Sequence, residues 1–413
     1  MTPALLDEIR ARFAHVDTCP FTGPRVFFEN AGGALTLESV VATSAKFAGI
    51  PDNQGRDNPA SRALMSVIDT ARADAATFLN AQGGKIVVGE SGTELLFRLI
   101  ADACLGTPGG VVLGSTIEHP ASRSACARWA EVAGKPHVLV PHDDATGLVT
   151  PEAYAAQVTP DVRVATILHT SPVTGMGMDL VGIAAAIRAV APDAVIIVDG
   201  IQHACHGGID VAGADVDGYV ISPYKVFSRH GYGLAWASDR LSALRHNALI
   251  GAPEGSWELG TRDTGAYATF SNVVDYFDWL GSRVSGASDR RERIEAAGRA
   301  IHDQEAALTQ AMLHGTGNLP GLAELPGVGI VGGIDNPARE GLVSFYVDGR
   351  ASPDIVAALC DEGIRVHTRK ADHYSGNVLT PLGKADCVRV SLCHYNTEGE
   401  VAAFLAAMSR ILG

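Results

Sequence analysis

Four short, mostly apolar runs at residues 85–89, 110–114, 162–168 and 194–198 recur along the first half of the chain, with helical patterns between them. A strand that alternates apolar and polar residues has one wet face, whereas a continuously apolar strand is covered on both. Such strands separated by helices call for a mainly parallel sheet sandwiched between helical layers. The intervening helices are expected at 35–49, 61–80, 94–105 and about 180–191. The second carries Leu64, Val67, Ile68 and Ala71 near helical spacing and stops before Ala81-Gln-Gly-Gly84.

The pattern changes after Trp279. A long charged helix is expected over 287–314, broken by Gly315-Thr-Gly-Asn-Leu-Pro320, and a strand over 341–347. A helix at 352–361, strands near 364–368 and 388–392, and a last helix at 397–411 suit a smaller α+β unit. With 413 residues the chain is too long for one ordinary core. The expected organisation is an N-terminal segment (1–20), a large α/β domain (21–285) and a small C-terminal α+β domain (286–413).

Composition narrows the function classes. The chain has 46 acidic against 32 basic residues, a formal charge of -14, with no basic stretch to meet nucleic-acid phosphates. No apolar run is long enough to span a bilayer, and Met1-Thr-Pro-Ala-Leu-Leu-Asp-Glu8 lacks the basic and apolar regions of a signal peptide. The seven cysteines, at 19, 104, 126, 205, 360, 387 and 393, form neither a Cys-x-x-Cys pair nor a cluster with zinc spacing. Reduced, packed thiols, no metal and a cytoplasmic location are therefore expected.

Two residues carry the chemistry. Val195-Ile-Ile-Val-Asp199 is an apolar strand ending in an acid, and Val216-Asp-Gly-Tyr-Val-Ile-Ser222 is a second short strand running into Pro223-Tyr224-Lys225. Alone, Lys225 is an ordinary surface lysine and Asp199 a turn or helix cap. Together they fall at C-terminal strand ends, where open α/β sheets bind ligands. A lysine amine that forms a Schiff base with an aldehyde, and an acid that holds the proton on a pyridine nitrogen, are what pyridoxal 5'-phosphate requires.

From Val26-Phe-Phe-Glu-Asn-Ala-Gly-Gly33 to Arg389-Val-Ser-Leu-Cys-His-Tyr-Asn-Thr397, nearly the whole chain resembles the class V aminotransferases of pyridoxal-phosphate fold type I. It is most similar to the cysteine desulfurase-like and carbon-sulfur lyase group. The resemblance implies a seven-stranded type of large-domain sheet and the following roles. Lys225 carries the cofactor, Asp199 meets the pyridine nitrogen, Gln202 in Asp-x-x-Gln meets the phenolic oxygen, and His119 in Glu118-His-Pro stacks on the ring. Gly92 and Thr93 of Ser91-Gly-Thr-Glu94 offer amides to the phosphate at a helix N-terminus. Ser222 and Tyr224 add hydroxyls, Tyr224 standing where the family often has histidine. Gly260-Thr261 resembles the pair that reaches the phosphate from a neighbouring subunit, which implies a homodimer with shared sites. Arg389 matches the arginine that grips a substrate α-carboxylate. Asn30 lies where the family contacts substrate.

Two departures bear on the reaction. The stretch where a desulfurase carries its persulfide cysteine is Lys370-Ala-Asp-His-Tyr-Ser-Gly-Asn377, and the segment His169-Thr-Ser-Pro-Val-Thr-Gly175 has Pro172 where the family often has asparagine. A small-molecule α-amino acid, cysteine-derived or otherwise β-substituted, is the expected substrate and β-elimination without a persulfide cysteine the expected reaction. Transamination and epimerisation begin with the same proton abstraction and stay open, as does a pyridoxal-phosphate-binding protein that has lost catalysis.

Overall fold

The computed structural model describes residues 1–253 and 255–413. The apolar runs form a seven-stranded sheet from β1 (Lys85–Gly89), β2 (Val111–Ser115), β3 (His137–Val140), β4 (Val162–Leu168), β5 (Val195–Asp199), β6 (Gly218–Ile221) and β7 (Gly233–Ala237). Their order across the sheet is β1-β7-β6-β5-β4-β2-β3. All pairings are parallel except those of β7, which runs against both β1 and β6. The fold is therefore the mainly parallel α/β architecture expected from continuous apolar strands.

Both faces are covered. One packs α1 (Pro59–Leu79), α4 (Leu180–Val190) and α5 (Thr264–Val284) through Ile68, Phe78, Ile183, Phe270 and Phe277. The other packs α2 (Gly92–Gly106) and α3 (Pro120–Ala133) through Leu95, Leu99, Ala125 and Cys126. The helix α5 has 12 buried residues of 21, with Asp275, Asp278 and Arg283 on its outer side.

The C-terminal part holds α6 (Arg290–His314) and a four-stranded antiparallel sheet in the order β8-β9-β11-β10. These strands are β8 (Val328–Ile330), β9 (Leu342–Val347), β10 (His367–Lys370) and β11 (Asp386–Ser391). The helices α7 (Ser352–Asp361) and α8 (Glu398–Leu412) pack on it through Leu359, Phe404 and Leu405. The expected strand at 364–368 is two short pieces with different partners: Ile364–Arg365 pairs in parallel with Val26–Phe27, and His367–Lys370 pairs with β11. Phe28 follows its neighbours into this C-terminal core, fully buried against Phe404. Among the described residues, no helix is long and apolar enough to cross a membrane.

Candidate active site

The parallel strands end on one edge of the sheet, and the side chains just beyond those ends line a common cavity. Lys225, Asp199, His119, Gln202, Ser222 and Tyr224 all face it, with Thr93, Thr170 and Pro172. Lys225 closes a single 3-10 turn after β6 (Pro223–Lys225), its amide donating to the Ser222 carbonyl at 2.9 Å. Its Nζ donates to Gln202 Oε1 at 3.0 Å. Burial first, then the positive charge of Arg389, push this amine down to about 8, while Asp199 pulls the other way.

Asp199 is the last residue of β5 and is 3% exposed. One carboxylate oxygen accepts from the Ile201 amide at 3.1 Å and the other from the Ser122 hydroxyl at 3.4 Å. Burial still outweighs these donors and raises its pKa to about 6. A cation opposite it would relieve that cost, which is the electrostatic demand of a protonated pyridine nitrogen. His119 caps α3, its Nδ1 accepting from the Ala121 amide at 3.2 Å. Burial, then the charges of Lys225 and Arg369, hold its pKa down to about 4, so the ring is neutral and fit to stack on a cationic heterocycle.

The helix α2 brings its N-terminus to the same place. Ser91 accepts from the Glu94 amide with its hydroxyl and from the Leu95 amide with its carbonyl. The amides of Gly92 and Thr93 are thereby left without an acceptor among the described residues, where a phosphate would supply one. Close packing enforces this cradle: a Cβ on Gly92 would lie 2.5 Å from Ser222 Oγ, and one on Gly233 of β7 would lie 2.3 Å from the Ser91 carbonyl carbon. The donor set and the cradle fit pyridoxal phosphate.

Arg389 on β11 is 3% exposed and donates to the Pro172 carbonyl at 3.0 Å, while its Nε has no partner. A buried guanidinium without an acid is costly, and burial pushes its pKa down to about 9.

Two expected site residues lie elsewhere. Thr261 is exposed and does not line this cavity. Asn30 is 1% exposed, and its side chain is fully occupied: Nδ2 donates to the Ser391 carbonyl at 2.8 Å and Oδ1 accepts from the Tyr395 hydroxyl at 2.5 Å. These bonds make Asn30 a brace between the N-terminal segment and the C-terminal sheet. Gly32, two residues on, lies in ordinary contact range of Arg389 and Glu29, with Arg389 Nη2 3.7 Å from where a Cβ would stand.

Several contributors escaped the sequence reading. Ser122 and Thr170 are ordinary hydroxyl residues in sequence, and only the fold brings them to Asp199 and to the cavity wall. His230 stacks on Tyr224 with ring centroids 4.3 Å apart. His206 bonds Gln202 at 3.1 Å and Glu305 at 2.7 Å, tying the cavity floor to α6. Its spacing of four after Gln202 was the available signal.

Comparison with known proteins agrees with this geometry. The profile of the family described as "Aminotransferase class-V" matches residues 26–404. The chain belongs to the class V aminotransferase family. It is 26% identical to the aminotransferase-like protein FGM3 of Gibberella zeae, over 98% of both chains. It is 27% identical to the cysteine desulfurase-like protein ustD of Aspergillus flavus, over 94% of this chain and 88% of that one. The apo structure of a cysteine desulfurase from Thermococcus onnurineus NA1 superposes with a TM-score of 0.81 at 22% identity over 98% of both chains, a likeness of fold. As a class V aminotransferase-family protein, the chain is a pyridoxal phosphate-dependent enzyme of fold type I.

Proposed function

We propose that this enzyme eliminates a β-substituent from an α-amino acid without a persulfide cysteine. The reading rests on one arrangement: Lys225, Asp199 and His119 line a single cavity, with the acid-free guanidinium of Arg389 bonded to Pro172 at its wall. The loop where a desulfurase would carry its thiol presents Tyr374, whose ring lies 5.9 Å from that of His119. Cys387 is buried within β11 and has no mobile segment to carry it.

The cofactor, when bound, supplies an electron sink for charge developing at the substrate Cα. Lys225 would carry it, with Asp199 to meet its pyridine nitrogen, Gln202 its phenolic oxygen and His119 its ring, and Gly92, Thr93, Ser222 and Tyr224 would hold its phosphate. Arg389 pairs with the substrate carboxylate and fixes the Cα–H bond toward Lys225, whose amine takes the proton. The bond from Cβ to its substituent then breaks, the substituent leaves with the electron pair, and the released aminoacrylate hydrolyses to pyruvate and ammonia. The same reading takes the enzyme as a cytoplasmic homodimer in which Thr261 serves the neighbouring copy's cavity. In support, all seven cysteines are free, and Leu249 and Ile250, on the segment before Thr261, are 65% and 107% exposed.

Borohydride treatment of the yellow holoenzyme followed by peptide mapping should place the pyridoxyl label on Lys225. Incubation with β-substituted amino acids should release pyruvate and ammonia. Label on another lysine would remove the site assignment, and accumulation of pyridoxamine phosphate with a keto acid would replace elimination by transamination.

A further inference from the structure

Gln202 stands on the cavity floor between two groups that compete for its side-chain amide. On the cavity side Lys225 Nζ lies 3.0 Å from its Oε1. On the far side His206 Nε2 lies 3.1 Å from its Nε2, and His206 Nδ1 lies 2.7 Å from Glu305 Oε2 on α6. Gln202, His206 and Glu305 are 2%, 1% and 1% exposed, so the chain of contacts is sealed from bulk solvent. A carboxamide accepts at one end and only donates at the other, so its two neighbours decide which way round it sits. A charged Lys225 has donors alone and takes Oε1. Nε2 then donates to His206, whose Nε2 must be bare, which leaves the one ring proton on Nδ1 for the Glu305 carboxylate.

That orientation suits an amine and not the cofactor. The phenolic oxygen that Gln202 would meet is an acceptor once ionised, and only the Nε2 end of the carboxamide can serve it. Rotation about one bond exchanges the two ends. Oε1 then faces His206, which must offer a proton at Nε2 while Nδ1 still serves Glu305. A ring protonated at both nitrogens is a cation, and its surroundings hold an anion for it. Glu305 Oε1 has no partner among the described residues, so this carboxylate is answered by His206 alone. Burial raises the Glu305 carboxyl to about 7, and the charge of His206 is the strongest influence lowering it again. The other groups facing the ring are engaged. His203 and Glu340 pair at 2.8 Å, His394 is kept neutral by burial and bonds Tyr276, and the Cys205 thiol donates to the Gln202 carbonyl at 3.8 Å beside Cys393.

We propose that His206 and Glu305 are positioning residues that act through Gln202: on cofactor binding the carboxamide turns over, His206 Nε2 takes a proton from solvent, and the Glu305 carboxylate holds the resulting imidazolium. A neutral His206 would keep Gln202 the wrong way round. The inference rests on the pyridoxal phosphate reading of the cavity and adds to it two residues that touch neither cofactor nor substrate.

The test is equilibrium titration of the full chain, freed of cofactor, with pyridoxal phosphate and with its analogue lacking the phenolic oxygen, followed by absorbance. The ratio of the two affinities isolates what reaches that oxygen. His206→Phe should lower the ratio at least about 10-fold, as for a lost bond to a charged group, and Glu305→Gln at least about threefold, while affinity for the analogue changes less than about threefold. His206→Gln, whose amide can still donate to Gln202 Oε1, should keep part of the ratio. Urea unfolding separates these effects from a loss of fold, and Glu305→Gln, which preserves shape, decides the matter where His206→Phe does not fold. Equal weakening toward both ligands would show that the pair only braces α6 against the cavity floor and would overturn the proposal. Equal affinity of the parent enzyme for both ligands would part Gln202 from the phenolic oxygen and overturn the proposal while Lys225 keeps its role. Absence of borohydride-fixed label on Lys225 with either ligand would overturn the site reading as well.

Discussion

The amine of Lys225 is pulled both ways: burial and Arg389 favour loss of its proton, and Asp199 favours keeping it. A pKa of about 8 leaves about a tenth of the amine neutral at pH 7, against well under about 0.1% for an ordinary lysine. Only the neutral amine attacks an aldehyde. Cofactor uptake, followed by absorbance in a stopped-flow instrument, should therefore accelerate with pH through a midpoint near 8. Arg389→Met removes the second-largest depressing influence and should move that midpoint upward. An unmoved midpoint would mean that burial alone sets the pKa. At this scale the sequence was most legible at strand ends, where the spacing singles out Lys225 and Asp199, while Gln202 came from the family resemblance. It was least legible where a side chain's role depends on distant partners. Asn30 is bonded to residues 361 and 366 positions away, and no local pattern carries that information.

Among the elements, the junction of β7 with the start of α2 is a tight main-chain contact bearing on the cavity. Gly233 lets the strand run against the Ser91–Gly92 backbone, and a methyl group there would collide with main chain, which cannot rotate away. Gly233→Ala should push the N-terminus of α2 outward, weaken cofactor binding at least about 10-fold and destabilise the fold by about 1–3 kcal/mol. Gly286→Ala, where a Cβ meets nothing within 4 Å, should change neither in cofactor titration and urea unfolding. Native affinity in Gly233→Ala would show that the phosphate cradle is held by other contacts. Element type was legible wherever burial produced a strong pattern: the helix expected at 61–80 runs Pro59–Leu79. Helix α5 and strand β7 went unseen, and the reversed direction of β7 has no sequence signal because an apolar strand looks the same read either way.

For the whole molecule, the exposed pair Leu249 and Ile250 is an apolar surface that a second copy would cover. If Thr261 completes the neighbouring site, replacing both residues with aspartate should yield a monomer in sedimentation velocity, with cofactor affinity lowered at least about 10-fold. A monomer that keeps full affinity would restrict the site to one chain. Within the chain, the N-terminal segment threads through the C-terminal unit: Val26–Phe27 pairs with Ile364–Arg365, Phe28 enters that core, and Asn30 ties Gly32 close to Arg389 by way of Ser391 and Tyr395. This arrangement sets a timetable for birth on the ribosome. The seven-stranded sheet is fully synthesised by Ala237, and Lys225 with it, yet Val26–Phe27 must wait for Ile364–Arg365, and the bonds of Asn30 are complete only when Tyr395 has emerged. At about 5–20 residues per second, that interval lasts roughly ten to thirty seconds. During it the nascent chain can carry an assembled cofactor lysine beside an unfinished carboxylate grip, and so meets the cofactor before it meets its substrate.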